Sequence, residues 1–313
     1  MNRRRHISGV FLLDKPVGRS SNTALGRVRW LFNAAKAGHT GTLDPFATGL
    51  LPIALGEAAK FSRFMLDAPK AYLAELRLGV TTTTGDTEGT EVERRNVSTS
   101  AGEIESVLQR FRGPQTQVPP MHSALKRDGI PLYKLARQGI DVDRPARPVT
   151  LYQLHLCDWD GGQTLRLNLL CSKGTYVRVL AEDIGAALGC GAHLTGLRRT
   201  GSGDFSIDAA TTLDELEALP DASRDGLLLP PDRLAQALPV LHLNEDDARA
   251  FGNGGKPVLS PTFAIAEHRV YGPTGEFLGV GQIAPAGGEL QLVAVRLMAS
   301  AGSANPAQPR DSA

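Results

Sequence analysis

Residues 38–52 constrain the fold of this chain more than any other segment, because they place one acid in a run that cannot be helical. The run reads Gly-His-Thr-Gly-Thr-Leu-Asp-Pro-Phe-Ala-Thr-Gly-Leu-Leu-Pro, and Asp44 is its acid. Pro45 fixes its own φ, lacks an amide donor and disfavours helical angles at Asp44. The glycines permit backbone angles and close approaches that other residues cannot make. The segment therefore predicts a loop in which Asp44 either makes a turn or faces a ligand.

Further blocks along the chain favour the ligand-facing interpretation. They are residues 9–16, 56–60, 123–126, 136–140, 171–178, 189–194 and 197–199. Together with residues 38–52 they resemble, in the same order, the motifs of the TruB family of tRNA pseudouridine-55 synthases, in its bacterial form. Other pseudouridine synthase families place the acid in an Arg-Leu-Asp or Arg-Thr-Asp context, which this chain lacks.

The charge of the chain is divided unevenly. Residues 1–210 contain 27 Lys and Arg against 20 Asp and Glu, whereas residues 211–313 contain 7 against 13. The positive part coincides with the motifs above, as contacts with phosphates require. The distribution is therefore compatible with a nucleic-acid substrate, although many other enzymes are equally asymmetric.

Composition excludes several other classes of protein. No apolar run approaches the roughly 20 residues of a membrane span, and the basic start of the chain is not followed by a signal peptide. Cys157, Cys171 and Cys190 are odd in number and lack metal-ligand spacing, which favours reduced thiols in the cytoplasm. Since the chain also lacks a dinucleotide fingerprint and a phosphate-binding loop, we expect neither a cofactor nor a metal.

Periodicity predicts both helices and strands. Residues 72–78 alternate between apolar and polar side chains, and residues 151–157 and 164–172 are typical of a hairpin. Because the elements do not alternate as regular βαβ units, the fold class is α+β. The resemblance implies a pseudouridine synthase fold, with a mixed, largely antiparallel sheet flanked by helices. The predicted helix caps are Ser21, Ser100 and Thr175.

The composition and the resemblance together divide the chain. Pro220 to Pro239 is typical of a linker with short helices, and the short glycine-separated strands after it resemble a PUA-type RNA-binding barrel. Residues 264–265 are included among those strands. The expected parts are a disordered basic N-terminus (1–7), a catalytic domain (8–236), a PUA-like domain (237–299) and a disordered tail (300–313).

One segment of the catalytic domain, at about residues 113–149, is rich in Pro, Lys, Arg and Gly. This composition predicts a long exposed insertion, and such loops are usually functional or disordered. The resemblance implies that the insertion grips RNA, which makes Lys126, Arg127, Lys134 and Arg137 candidates for contacts with phosphates. The alternative is a solvated loop without such contacts.

The reaction implied by the resemblance exchanges a carbon–nitrogen glycosidic bond for a carbon–carbon bond. It needs a nucleophilic carboxylate, for which Asp44 is the candidate, but burial alone would raise the pKa of that carboxyl. The resemblance implies that Arg178, near the start of a helix, supplies the opposing charge. It also makes Tyr72 an active-site residue that stacks on uracil or receives its proton. Whether Asp44 attacks the ring or the sugar carbon is left open.

The resemblance assigns three residues to the extruded base. Tyr176 and Leu197 match positions that contact it, and His39 matches a residue that fills the gap it leaves. From their types alone, Tyr72 and Leu197 are equally compatible with core packing, and His39 with a structural role. Asp86 also matches a family acid, but its neighbours differ from the family pattern, so no role is assigned.

The resemblance implies that the chain is a cytoplasmic tRNA pseudouridine(55) synthase, an isomerase that flips uridine 55 out of the T stem-loop. A second hypothesis is a tRNA folding chaperone in which catalysis is secondary. Only the enzyme requires Asp44, so its replacement separates the two. A third is the guide-RNA-dependent relative, against which the lack of long basic extensions argues. We expect a monomer that needs no guide RNA and no membrane.

Overall fold

The computed structural model describes residues 4–299 and builds residues 9–212 around one large sheet. Apolar residues form its strands, alternating with polar ones on β4 and running continuously on β1, and helices cover parts of its faces. In chain order the elements are β1 (Gly9–Lys15), α1 (Ser21–Leu31), β2 (Ala37–His39), β3 (Thr48–Leu55), α2 (Ser62–Leu66), β4 (Lys70–Leu78), β5 (Val80–Thr82), β6 (Glu91–Arg94), α3 (Ala101–Phe111), β7 (Gly113–Gln117), β8 (Lys126–Arg127), β9 (Ile130–Pro131), α4 (Leu132–Arg137), β10 (Arg147–Trp159), β11 (Thr164–Cys171), α5 (Val177–Ala187), β12 (Ala192–Ser202), β13 (Phe205–Ser206) and β14 (Thr211–Thr212).

The remaining elements form a second, smaller unit and its connection. Short 3₁₀ helices occur in both parts of the chain, at Gly56–Phe61, Ile207–Ala209, Asp225–Leu227 and Pro231–Ala235. The elements are α6 (Leu213–Ala218), α7 (Asp221–Arg224), β15 (Val240–His242), α8 (Glu245–Gly252), β16 (Val258–Leu259), β17 (Glu267–Tyr271), β18 (Phe277–Ala286) and β19 (Glu289–Leu297).

The central sheet has ten strands and is mixed. Its order is β14-β1-β3-β12-β4-β11-β10-β7, with β2 paired to β3 and β13 paired to β12. The β1–β14 and β3–β12 pairs are parallel, and the other recorded pairs of this sheet are antiparallel. This arrangement confirms the predicted α+β class, since long antiparallel hairpins and separate helices supply the layers.

Two apolar layers hold the helices against the sheet. The buried face of β4 includes Tyr72, Ala74 and Leu76, and it packs in one cluster with residues of α3 and α5. On β1, Phe11 and Leu13 pack with residues of α1, whereas Val10 and Leu12 face the opposite layer. The strand is therefore buried on both faces, which explains its continuous apolar sequence.

The insertion is shorter than the sequence predicted. Residues 113–117 form β7, which pairs with residues 147–151 at the edge of the central sheet. The projecting segment is therefore 118–146. The prediction took the prolines as a sign of a loop. An edge strand, however, tolerates residues such as Pro114 that cannot donate a ladder hydrogen bond.

The first predicted helix cap is off by one residue. Ser20 caps α1 by accepting from the Thr23 N–H, and Ser21 is the first helical residue. The Ser21 hydroxyl instead exchanges two hydrogen bonds with the backbone of Leu43. The predicted capping box at Ser100 is confirmed, with Glu103 as its partner.

The C-terminal unit is a curled five-stranded sheet of order β15-β17-β18-β19-β16, consistent with the predicted PUA-like barrel. The strand expected at residues 264–265 is absent from the described structure, where this segment is an exposed loop. Residues 220–239 are packed rather than loosely linked, because Leu234 and Ala235 share a buried cluster with Val280 of β18.

The two ends of the chain were both predicted to be disordered. Residues 1–3 and 300–313 lie outside the described residues. Within residues 4–7, Arg5 donates its backbone N–H to Asn33 O and forms an ion pair with Asp225. This part of the N-terminus is therefore attached to the catalytic unit.

We expect Gly49→Ala to destabilise the protein by ~2 kcal/mol or more. Gly49 has φ +102°, and a Cβ there would lie 2.3 Å from the carbonyl oxygen of Arg199 on the neighbouring strand. Thermal unfolding of the variant measures the loss. Gly26→Ala is the matched control, because Gly26 lies inside α1 with open space around it and should gain ~0.5–1 kcal/mol. Equal melting temperatures for Gly49→Ala and wild type would contradict this account.

Candidate active site

The loop that carries Asp44 connects β2 to β3 and is held from three directions. The Ser21 hydroxyl binds the backbone of Leu43 at 2.8 and 3.0 Å. The Gly18 N–H donates to the Pro45 carbonyl at 2.8 Å, and Lys15 Nζ donates to the same oxygen at 3.4 Å. The backbone on both sides of Asp44 is therefore fixed before any ligand arrives.

The side chain of Asp44 meets a buried arginine. Arg178 is the second residue of α5 and is 4% exposed, whereas the Asp44 side chain is 37% exposed. Arg178 Nε lies 3.0 Å from Asp44 Oδ2 and 3.5 Å from Asp86 Oδ2. The arrangement gives one guanidinium two carboxylates, of which only Asp44 faces solvent.

The remaining nitrogens of Arg178 bind backbone carbonyls. Nη1 donates to Thr84 O at 3.0 Å, and Nη2 donates to His122 O at 2.7 Å. Its orientation is therefore set by three separate segments, the loop after β5, the projecting segment and the Asp44 loop. A planar guanidinium with donors on every side suits this geometry better than a lysine ammonium would.

Asp86, to which the sequence assigned no role, lies directly behind the arginine. It is 2% exposed, and its Oδ1 accepts from Thr84 Oγ1 at 2.5 Å and from the Glu88 N–H at 2.9 Å. These bonds satisfy one carboxylate oxygen and leave the other toward Arg178. Asp86 therefore orients the arginine from the side that a ligand cannot reach.

The pKa of Asp44 is raised above its usual value of 3.8. Burial is the main cause, and the negative charge of Asp86 adds to it. The charge and hydrogen bond of Arg178, with a smaller contribution from Lys15, oppose the shift without cancelling it. The site thus holds a carboxylate whose charged form is less well solvated than in water, and such perturbed carboxylates are frequent at functional sites.

A cavity of about 340 Å³ opens beside Asp44, within the ~300–1,000 Å³ typical of small-molecule sites. Its walls come from the Asp44 loop, β4, the projecting segment, the start of α5 and β12. The structure brings five of the predicted site residues together around this cavity, namely Asp44, Tyr72, Tyr176, Arg178 and Leu197.

Tyr72 and Tyr176 are both aromatic walls of the cavity. Burial raises the pKa of each phenol, so both are neutral hydroxyls at neutral pH. Tyr72 is paired in register with Leu169 on one side and Arg199 on the other, at the middle of the sheet. A neutral phenol on a rigid strand can stack on a base and exchange a proton through its oxygen.

Three of the predicted site residues lie outside the cavity. His39 ends β2, and its Nδ1 accepts from the Gly41 N–H at 3.4 Å; burial, with the charge of Arg199, lowers its pKa, so the ring is neutral at neutral pH. Lys126 and Arg127 are exposed on β8, next to the cavity wall at Leu125. Arg127 also donates to the Asp143 carbonyl at 2.8 Å.

Sequence reasoning missed two buried cations of the cavity. Arg199 is 1% exposed and donates to Leu50 O at 2.6 Å and to Gly41 O at 3.1 Å. Lys70 donates to three carbonyls at the end of α2, and burial lowers its pKa to about 8. Arg199 belonged to a recognised block, which was a usable signal, but nothing in the local sequence marked Lys70.

Lys15, the last residue of β1, binds the neighbouring loops through hydrogen bonds. It is fully buried, and Nζ donates to Pro16 O and Arg19 O at 2.8 Å besides the contact with Pro45. Burial lowers its pKa to about 8, although the charge of Asp44 acts in the opposite direction.

Within residues 4–299, no group of three or more His, Cys, Asp and Glu side chains is arranged to hold a metal ion. In the same range no helix has the length and apolarity needed to cross a membrane.

Known proteins and family models match most of the chain. Residues 29–177 match the model of the N-terminal domain of TruB family pseudouridylate synthases. A protein of Chromobacterium violaceum named tRNA pseudouridine synthase B is 51% identical over 300 residues, covering 95% of this chain and 96% of the relative. The chain belongs to the TruB family. Residues 178–236 match the tRNA pseudouridylate synthase B C-terminal domain, and residues 239–298 match the C-terminal model of pseudouridine synthase II TruB.

Other relatives agree with the TruB assignment. A protein of Aromatoleum aromaticum with the same name is 53% identical over 281 residues, covering 90% of each chain. A chain in the crystal structure of a Cbf5–Nop10–Gar1 complex has a TM-score of 0.70 and 24% identity, covering 93% of this chain and 84% of that one. At that identity the likeness concerns the fold alone, and it confirms the predicted pseudouridine synthase fold with its PUA-like sheet.

We expect Arg178→Ala to cost ~3–5 kcal/mol of folding stability, because it leaves Asp86 charged and buried without a cation. Asp44→Asn should have the opposite effect at neutral pH. Since the folded-state pKa of Asp44 is raised, its contribution to stability is fully present below about pH 3.8 and is lost as pH rises through the raised value. The amide variant should therefore be at least as stable as wild type above that range.

Thermal melts of the three proteins between pH 4 and pH 8 measure both effects. The advantage of Asp44→Asn over wild type should grow with rising pH and then level off. If Asp44→Asn instead becomes less stable than wild type as pH rises, the interaction with Arg178 lowers the pKa of Asp44 in the folded protein.

Proposed function

We propose that this protein isomerises uridine 55 in the T loop of tRNA to pseudouridine, with Asp44 as the nucleophile. Membership of the TruB family and relatives named tRNA pseudouridine synthase B support pseudouridine formation in tRNA. The observation that carries the residue assignment is the 3.0 Å contact between Arg178 Nε and Asp44 Oδ2 at the wall of the cavity.

The chemistry needs no atom from outside. The bond between uracil N1 and the sugar carbon breaks, the ring turns, a bond between C5 and the same sugar carbon forms, and the proton of C5 leaves while N1 gains one. Asp44 supplies the electron pair that holds the ring or the sugar during the turn. Arg178 stabilises the carboxylate before attack and again when it is released.

Tyr72 is placed for the second half of the reaction. Its ring is a wall of the cavity, and its neutral hydroxyl can pass the C5 proton to solvent or to Asp44. Tyr176 and Leu197 form further parts of the same cavity wall and would enclose the flipped base. Extrusion of a base costs a few kcal/mol of stacking and pairing, and we propose that His39 compensates by filling the vacated position.

Recognition of tRNA is assigned to the projecting segment. Its exposed Lys126 and Arg127 are next to the cavity wall and can bind backbone phosphates, while the T loop is read by shape and by unstacked bases. We propose residues 8–236 as the catalytic domain and 237–299 as a PUA-like domain. We also propose that the protein acts as a monomer in the cytoplasm without a guide RNA.

Replacement of the nucleophile tests the enzymatic function. Asp44→Asn should abolish release of a C5 hydrogen label from uridine in tRNA, because an amide cannot supply the electron pair. Asp67→Asn is the matched control, since Asp67 is exposed and is paired with Lys173 of the cavity rim rather than with Arg178. Full turnover by Asp44→Asn would remove the enzyme hypothesis and leave the tRNA chaperone, which needs binding alone.

The role of the projecting segment is tested by salt dependence. Lys126→Ala and Arg127→Ala should each weaken binding of tRNA and reduce the slope of log affinity against log salt by ~1 per lost phosphate contact. Filter binding at several salt concentrations measures this slope. Arg249→Ala, in the acidic C-terminal part, should leave it unchanged. Unaltered slopes in the first two variants would favour a solvated loop without RNA contacts.

A further inference from the structure

The helix that presents Arg178 begins without a cap of its own. The sequence predicted Thr175 as the cap of α5, but the Thr175 hydroxyl donates to Ser172 O at 3.0 Å. Tyr176 occupies the N-cap position, and no side chain of the helix caps it. Such a start leaves backbone groups that must find partners elsewhere.

Gln117, at the edge of the central sheet, supplies a partner for one of these groups, the N–H of Tyr176. Its Oε1 accepts from the Tyr176 N–H at 3.0 Å, and its Nε2 donates to Tyr176 O at 3.3 Å. Gln117 is the last residue of β7 and is 5% exposed. One side-chain amide therefore binds both backbone groups of the residue at which α5 begins, in the manner of a strand pair.

The two hydrogen bonds between Gln117 and Tyr176 join two parts of the cavity wall that are distant in sequence. On the α5 side, Tyr176 and Arg178 form the wall and hold Asp44. On the Gln117 side, the projecting segment begins at the next residue and contributes Ser123 to the same cavity. A second contact joins the projecting segment to α5, because His122 O accepts from Arg178 Nη2 at 2.7 Å.

We propose that Gln117 is a positioning residue for the isomerisation described above, on which this inference rests. It does not line the cavity. Its amide fixes the start of α5 relative to the projecting segment. Arg178 then reaches Asp44, and Tyr176 reaches the base, while the projecting segment holds the RNA. Small displacements of such groups are costly, since a misplacement of about 1 Å can reduce a rate ~100-fold.

Gln117→Leu tests the proposal by removing both hydrogen bonds at similar volume. The rate constant for release of the C5 label, measured with enzyme saturating over tRNA, should fall ~10- to 100-fold. The affinity for tRNA should change less than about threefold, because the phosphate contacts remain. Gln115→Leu is the matched control, since Gln115 lies on the same strand but donates to Arg110 O at the end of α3, away from α5.

Gln117→Glu adds a readout that a role in folding alone would not give. A protonated carboxyl can accept from Tyr176 N–H and donate to Tyr176 O as the amide does, whereas a carboxylate faces that carbonyl without a proton. Burial and the facing carbonyl favour the protonated form. The ratio of the Gln117→Glu rate constant to that of wild type should therefore rise as pH falls from 8.5 to 6.

The outcomes are separable. If wild type releases no label from tRNA, the proposed function fails. If wild type is active, the inference is overturned by a Gln117→Leu rate constant equal to wild type, by a loss confined to tRNA affinity, or by an equal loss in Gln115→Leu. If Gln117→Leu does not fold, the pH dependence of the Gln117→Glu ratio decides alone, and a flat ratio overturns the inference.

Discussion

One buried guanidinium organises the active site of this protein. Arg178 is shared by a half-exposed carboxylate, Asp44, and a fully enclosed one, Asp86, while its other nitrogens bind the carbonyls of Thr84 and His122. A buried cation is tolerated only when its donors are satisfied. Because Asp86 also contacts the arginine, Asp44 can change its bonding in the proposed reaction while Arg178 keeps a carboxylate partner.

Other buried cations around the cavity also have their donors satisfied by backbone carbonyls. Lys15, Lys70 and Arg199 are buried, and they donate to backbone carbonyls, most of which lie in loops or at the end of α2. Loops near a ligand cannot pair their carbonyls in a sheet, so side-chain donors must satisfy these groups. The positive side chains of the pocket therefore fasten its walls, and their charges also oppose the rise in the pKa of Asp44 or lower the pKa values of their neighbours.

The walls of the cavity connect the proposed chemistry with the proposed recognition of RNA. The segment that carries Lys126 and Arg127 also supplies the cavity wall at Ser123, and the carbonyl before it binds Arg178. The proposed phosphate contacts of Lys126 and Arg127 therefore belong to the same short stretch of chain as part of the cavity wall. The acidic C-terminal sheet packs against the catalytic unit through Val280 and Leu234, which stabilises the opposite layer of the sheet rather than the pocket.

Local sequence determined the loop at Asp44, the alternation of β4, the capping box at Ser100 and the hairpin of β10 and β11. Each depends on residues close together in the chain, such as the Asp-Pro pair or a period of two. The family resemblance extended this to Tyr72, Tyr176, Arg178 and Leu197. The resemblance could not assign Asp86, Arg199 or Lys70, and the local sequence pattern gave the wrong cap for α5. These roles depend on which segments become neighbours, because a buried polar group is defined by the partners that satisfy it. Only the tertiary structure brings Gln117 to Tyr176 across 59 residues, and no local pattern encodes that meeting.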